Sequence, residues 1–430
     1  MSGAAHLFTH RMPLEADATP QPQALPRTGG VYLLADAQQR PILLASCEDL
    51  RRVVSARLCA SDTERRTRRA DLAAVARWVF WTPSFSRFET AYRYHAAAAR
   101  LYPGRHRKLL GFGRAWFLRL DVCEPAPRIT PVSDVDDGAE FVGPMPARRD
   151  AESTIAVLED LFDLCRRYDI LRQAPHGRAC EYLDMGRCPA PCDGRFSMEA
   201  YRDMLRSAMA FAGGTRNGGR VTELAGRMRS AAAALEFERA ATIRSTIERA
   251  AAWFDRPELR YMAPLAQFRW LVLQRGGPRT RSTRRLTVRT FFAGPDGLVE
   301  GPVVPWPELA GWLDDLRRVG PTEPPAHNLL PRPALPTTRN GTGSGGAGEA
   351  ASPGERSERL WLVCHYLLRA ESTAGQFYRL AALPEGSRIA DEVRQRLLGS
   401  EPEAPPDPAG VPGDPACDPP ADGDARDRPA

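Results

Sequence analysis

The chain has 430 residues, with 59 Arg plus Lys against 53 Asp plus Glu and a net charge of +6. At roughly 150 residues per domain, this length holds about three folded units. Hydrophobic residues make up 43%, which supplies their cores and excludes a wholly disordered chain. No apolar run approaches the roughly 18 residues that span a bilayer, and the N-terminus MSGAAHLFTHRMPLEADATPQPQ has no apolar core of signal-peptide length. A cytoplasmic protein with no membrane partner is expected.

Residues 1–24 read as a polar, Pro-bearing loose arm. Residues 25–112 read as a small α/β unit. Strands are predicted at 31–34 and 42–45 around a turn at 36–40, then a helix from Asp49, a strand at 78–81 and a helix over 87–101 that stops before Pro103-Gly104. Residues 113–215 hold a predicted strand at 116–120, a helix over 151–167, a cysteine-rich loop and a helix over 198–211. A helical hairpin follows within 216–256. Residues 257–320 form a small α+β module with strands at 268–273, 285–292 and 298–304 and a helix from Pro307.

Residues 321–358 read as a linker around the Gly/Ser run GTGSGGAGEAASPG. A helical segment, 359–399, contains the apolar stretch 360–368. The Pro-rich tail 400–430 carries eight acidic residues against Arg426 and Arg428, a net of −6, which leaves +12 on the other 399 residues. Such a tail cannot bury enough surface to fold. A basic body suits a phosphate-backbone partner. Lys108 is the only lysine, an Arg bias that fits a GC-rich genome.

The most specific chemistry lies in RACEYLDMGRCPAPCDG, residues 178–194. Nine cysteines are too few for a disulfide scaffold, and clustered ones in a reducing compartment point to metal. Cys180, Cys188 and Cys192 are separated by seven and three residues, so their soft thiolates can converge on one metal or cluster. Pro189 and Pro191 stiffen the loop. Cys165, on the predicted helix before it, is the natural fourth ligand. Four thiolates suit zinc or an iron–sulfur cluster, and spacing alone does not choose. The competing reading is inert, buried cysteines.

These residues and their surroundings resemble UvrC, the nuclease subunit of bacterial nucleotide excision repair. The FVGPMP run at 141–146 resembles the family's FGP-x-P entry, and LFDL at 161–164 its LF-x-L helix. Cys180, Gly186-Arg187-Cys188 and Ala190-Pro191-Cys192 match its C-x7-C-x3-C signature. The resemblance implies an iron–sulfur cluster, with zinc as the alternative. The family's fourth cysteine would fall where Arg167 and Tyr168 stand, so Cys165 is displaced from it.

The hairpin sequence VTELAGRMRSAAAALEFERAATIRSTIERAA places one apolar stripe on each helix. The LEFERAATIR run resembles the UVR motif through which UvrC meets UvrB, which implies a UvrB-like partner at Leu235, Phe237, Glu238, Ala241 and Arg244. Without that resemblance, an ordinary packed αα-hairpin is the simpler reading.

Gly30-Val31-Tyr32 opens a stretch that resembles the GIY-YIG nuclease domain. Such nucleases use tyrosines to activate water, an arginine to stabilise charge and a glutamate to hold one divalent metal. Tyr32 matches the first tyrosine. Leu43 replaces the second tyrosine, Ser46 a lysine, Val53 the arginine and His95 the glutamate. Little or no cleavage is expected, and a divalent metal at this site is doubtful. The rival is a register slip in which Arg51 or Arg52 and Glu89 rebuild the site as an active single-incision endonuclease. Arg51, Arg52, Arg65, Arg66, Arg68 and Arg69 are candidate DNA contacts, with a solvated basic loop as the alternative. Beyond residue 320 no stretch reads as the family's RNase H-like nuclease. The implied architecture is an α/β GIY-YIG-like N-terminal domain, a mostly helical Cys-rich region, a UVR helical hairpin and a small α+β C-terminal module. Another rival reading is a metal-binding interaction protein that does not act on DNA.

Overall fold

A computed structural model describes residues 6–14, 24–58, 72–214, 219–278, 285–319, 353–369 and 376–398. The chain folds as three four-stranded sheets flanked by helices. Arg65, Arg66, Arg68, Arg69, the Gly/Ser run up to residue 352 and the acidic tail lie outside these residues.

In the first unit, strands β1 (His10–Pro13), β2 (Gly30–Ala35), β3 (Pro41–Cys47) and β4 (Trp78–Pro83) lie in the order β1-β4-β2-β3, all antiparallel. The period-2 alternation of β2 sorts its side chains onto two covered faces. Tyr32 and Leu34 pack with Leu50, Val54 and Leu58 of α1 (Leu50–Leu58). Val31, Leu33 and Ala35 pack with Ala97 and Ala98 of α2 (Arg87–Leu101) on the other face. Every residue of β2 is therefore buried. Gly30 is required there, because a Cβ would sit 2.5 Å from the Thr82 carbonyl and 2.8 Å from Leu50. Helix α2 starts at Ser86, whose hydroxyl accepts the Glu89 N–H. The expected loose arm contributes β1, which pairs with β4; a four-residue strand ending in Pro13 leaves little periodic signal.

The second unit orders its strands β6-β5-β7-β8: β5 (Trp116–Leu120), β6 (Ile129–Val132), β7 (Glu140–Met145) and β8 (Ala263–Pro264). Its core is shared with α3 (Arg148–Phe162), α4 (Met198–Ala212) and the inner stripes of the hairpin helices α5 (Gly219–Ala233) and α6 (Phe237–Phe254). Helix α3 was expected to run to 167. It stops at Phe162 because Asp163 adopts the left-handed conformation.

The third unit joins β9 (Trp270–Arg275), β10 (Thr287–Gly294) and β11 (Gly297–Pro305) to β12 (Gln376–Arg379) in the order β11-β10-β9-β12. Helix α7 (Trp306–Val319) and α9 (Gly386–Leu398) share a core with one face. Helix α8 (Pro353–Leu368) packs against Phe291, Ala293 and Leu298 of the same sheet. Two sequence boundaries are corrected here. The linker's last six residues are the first turns of α8, and the segment expected to be purely helical carries the edge strand that completes the sheet.

Residues 360–364 of α8 are all buried, together with Leu367. A helix that is apolar on every side needs neighbours on every side. These are Phe88 of α2, Phe112, Phe117 and Phe141 around β5 and β7, and Trp270 and Phe291 of the third sheet. The Trp361 indole N–H donates to the Ser133 carbonyl at 2.7 Å. Trp361→Ala should therefore lower stability by about 3–5 kcal/mol, read as a lowered urea midpoint. Val319→Ala, at a position 67% exposed, should stay within about 0.5 kcal/mol.

Candidate functional site

Tyr32 is completely buried, and its hydroxyl has no hydrogen-bond partner. Desolvation raises its pKa, so it stays a neutral phenol. Around it stand Leu34, Leu50, Val54 and Trp81, with Leu43 and Val53 partly buried against the same cluster. Ser46 is exposed at the end of β3. His95 sits on α2, the helix that covers the opposite face of the sheet. Its Nε2 lies 2.7 Å from a Glu358 carboxylate oxygen of α8.

Glu89 does not turn toward Tyr32 either. Its carboxylate pairs with Arg289 at 3.0 Å and Arg93 at 3.5 Å, and accepts the Phe85 N–H at 3.0 Å. Burial pushes its pKa up against those two guanidinium groups. The Arg51 guanidinium donates to the Leu25 carbonyl at 2.7 Å, and Arg52 is exposed. Glu89 is thus engaged with Arg289 and Arg93, and Arg51 with the Leu25 carbonyl.

Sequence reasoning missed the cluster around Glu358. Both His95 and His106 present Nε2 to its Oε2, at 2.7 and 2.9 Å. Arg107 donates to the other oxygen at 2.5 Å and also pairs with Asp134 at 2.8 Å. These three donors hold the Glu358 carboxyl well down, at about 2, against the opposing effect of burial. His95 and Glu358 are separated by 263 positions, and no local pattern joins them.

The cysteine loop is built by short-range constraints. The left-handed Asp163 releases the chain from α3, so Cys165 lies past the helix end rather than on it. The Cys165 N–H donates to the Tyr201 hydroxyl of α4 at 3.2 Å. Arg166 bonds Asp160 at 2.6 Å and the Arg187 carbonyl at 3.3 Å, which ties the loop to α3. The Gly177 N–H donates to the Cys192 carbonyl at 2.8 Å. Ala190 takes the left-handed conformation between Cys188 and Cys192. Cys188 and Cys192 are buried, while Cys165 and Cys180 are partly buried. The Cys165 thiol donates to the Arg167 carbonyl at 3.6 Å, and its interaction with the neighbouring Cys188 thiol draws Cys188 down to about 7 and pushes Cys165 up. Cys165 lies near Cys188 although the sequence displaces it from the family position.

The hairpin has an inner and an outer side. Leu224, Ala231, Ile243 and Ala250 are buried. The base of α6 is fixed by Arg249 to Asp160 at 2.6 Å and by the Trp253 indole to Thr154 at 3.0 Å. Leu235, Phe237, Glu238, Ala241 and Arg244 are all exposed near the turn. Leu235 is 73% and Phe237 65% exposed, and Leu235 has positive φ. Two large apolar side chains thus stand in solvent at one tip. Among the described residues, no helix is long and apolar enough to cross a membrane.

The unit that carries the thiol loop is similar to a middle domain of the excinuclease type. Residues 115–211, from the start of β5 to the end of α4, match the family described as UvrC/Cho excinuclease, middle domain. The chain is UvrC-like. It is 30% identical over 226 residues to UvrABC system protein C of Syntrophus aciditrophicus, covering 52% of this chain and 35% of that protein. With the Thermus thermophilus protein of the same name it shares 35% over 164 residues, 37% of this chain and 27% of the relative. The Desulforudis audaxviator protein shares 37% over 134 residues, 30% and 21%. The chain thus spans about a third or less of the length of these relatives. No solved structure matches it.

Replacing Cys165 by Ala removes the sulfur that interacts with Cys188. Titration of thiolate absorbance in metal-free protein should show one thiol near pH 7 in the parent chain and its upward displacement in Cys165→Ala. An unchanged titration would show that the two sulfurs do not interact.

Proposed function

We propose that this chain is a nucleotide-excision-repair protein of the UvrC type, one that binds DNA and a UvrB-like partner without cleaving through its GIY-YIG-like unit. The observation that carries the reading is the complete burial of Tyr32, its hydroxyl unpartnered, on the sheet face opposite α2. A phenol shut among aliphatic side chains cannot reach water, and the helix that should bring a metal ligand covers the other face of the sheet. The intact thiol loop and the exposed hairpin tip support retained binding.

Cys165, Cys180, Cys188 and Cys192 would hold the cluster. The resemblance favours an iron–sulfur cluster, with zinc as the alternative for four thiolates. Such a cluster would pin the loop to the end of α3, a structural duty. For the hairpin, Leu235 and Phe237 would insert into an apolar surface of the UvrB-like partner, with Glu238 and Arg244 fixing orientation.

Incubation with damaged duplex, a UvrB protein and Mg²⁺ should give no incision. An incision abolished by Tyr32→Phe would overturn the reading. DNA affinity should fall steeply with added salt, and no affinity at low salt would favour an interaction protein that does not act on DNA. Phe237→Ala should weaken capture of UvrB by about 2 kcal/mol, roughly thirty-fold, and leave DNA affinity unchanged.

A further inference from the structure

We propose that His95, His106 and Glu358 form a site for one first-row divalent ion of the zinc type, its fourth position left to water, which clamps α8 to α2. The ligand atoms of these three residues lie within 4.8 Å of one another. Both imidazoles turn the same nitrogen, Nε2, to the same oxygen, at 2.7 and 2.9 Å. Neighbouring ligands of one ion, each roughly 2.0–2.2 Å from it, stand a little over 3 Å apart, so small movements would admit it. Two imidazoles and one carboxylate select zinc, cobalt, nickel or copper over Mg²⁺ and Ca²⁺, which take oxygen donors.

Charge and access fit as well. Arg107 occupies Oε1 and leaves Oε2 to the ion. Arg107 is itself paired with Asp134, so Glu358, Arg107 and Asp134 together carry −1 and an ion enters a net-negative site. The Glu358 side chain is 1% exposed and that of His95 2%, while that of His106 is 15% exposed and gives the approach from solvent. This site is separate from any phosphodiester chemistry, because Tyr32 lies across the sheet. It is independent of the repair reading, since it joins two parts of this chain and touches no partner.

The test uses the full chain, stripped by chelator and titrated with Co²⁺, then Zn²⁺. The expected result is one equivalent of Co²⁺ with weak visible bands and no sulfur charge transfer, displaced by Zn²⁺. Any metal taken by the cysteine loop is distinguished by its intense thiolate absorption. His106→Asn, at the ligand nearest the surface, should lose the weak-band equivalent and keep the thiolate component. Zn²⁺ should raise the thermal midpoint of the parent chain more than that of His106→Asn. If His106→Asn unfolds, Glu358→Gln serves the same purpose. Equal uptake and equal thermal response in parent and variant, or no nitrogen- and oxygen-bound Co²⁺ at all, would overturn the proposal and leave a hydrogen-bonded clamp.

Discussion

The structure depends on the burial of α8. Five consecutive residues, 360–364, are all withdrawn from water, and the side chains that cover them come from every sheet-bearing unit. At about 1.5–3 kcal/mol per large apolar side chain, this helix contributes on the order of 10 kcal/mol before entropy is counted, comparable to the net stability of a domain. Its polar first turns are satisfied with equal care. Ser357 accepts the Val135 N–H at 2.9 Å, and Arg356 pairs with Asp137 at 2.8 Å. A segment that follows a long Gly/Ser-rich stretch is thereby made part of the core.

That burial decides what the first unit can do. Docking α8 on α2 brings Glu358 to His95, so the position where the resemblance puts a metal-binding glutamate is held by an internal partner. Tyr32 faces α1 and is sealed by Leu50, Val54 and Trp81. The scaffold serves packing on both faces of its sheet. The chemistry that stays accessible lies elsewhere, in the partly exposed thiols of the cysteine loop and in the apolar tip of the hairpin. The division follows from solvent: Tyr32 is sealed from water, whereas part of the thiol loop and the hairpin tip face it.

Much of this was legible in the sequence where the signal is local. The apolar run of β2, the stop of α2 before Pro103-Gly104, and the paired stripes of α5 and α6 all specify their elements by neighbours within a few residues. The cysteine loop announced itself by residue type and spacing. The rest depended on contacts that sequence spacing does not encode. Strand β1 is four residues ending in proline, β12 is four residues after a long gap, and Glu358 meets His95 from 263 positions away. The place of Cys165 turned on one left-handed residue, Asp163, which ended α3 five residues earlier than its apolar periodicity implied.

Amide hydrogen exchange across residues 360–367 tests the central claim most directly. If α8 is locked among the three units, these amides should exchange as slowly as those of β2 and β10, through global unfolding alone. Exchange within seconds, at the rate of an exposed helix, would contradict the account and return Glu358 and His95 to solvent.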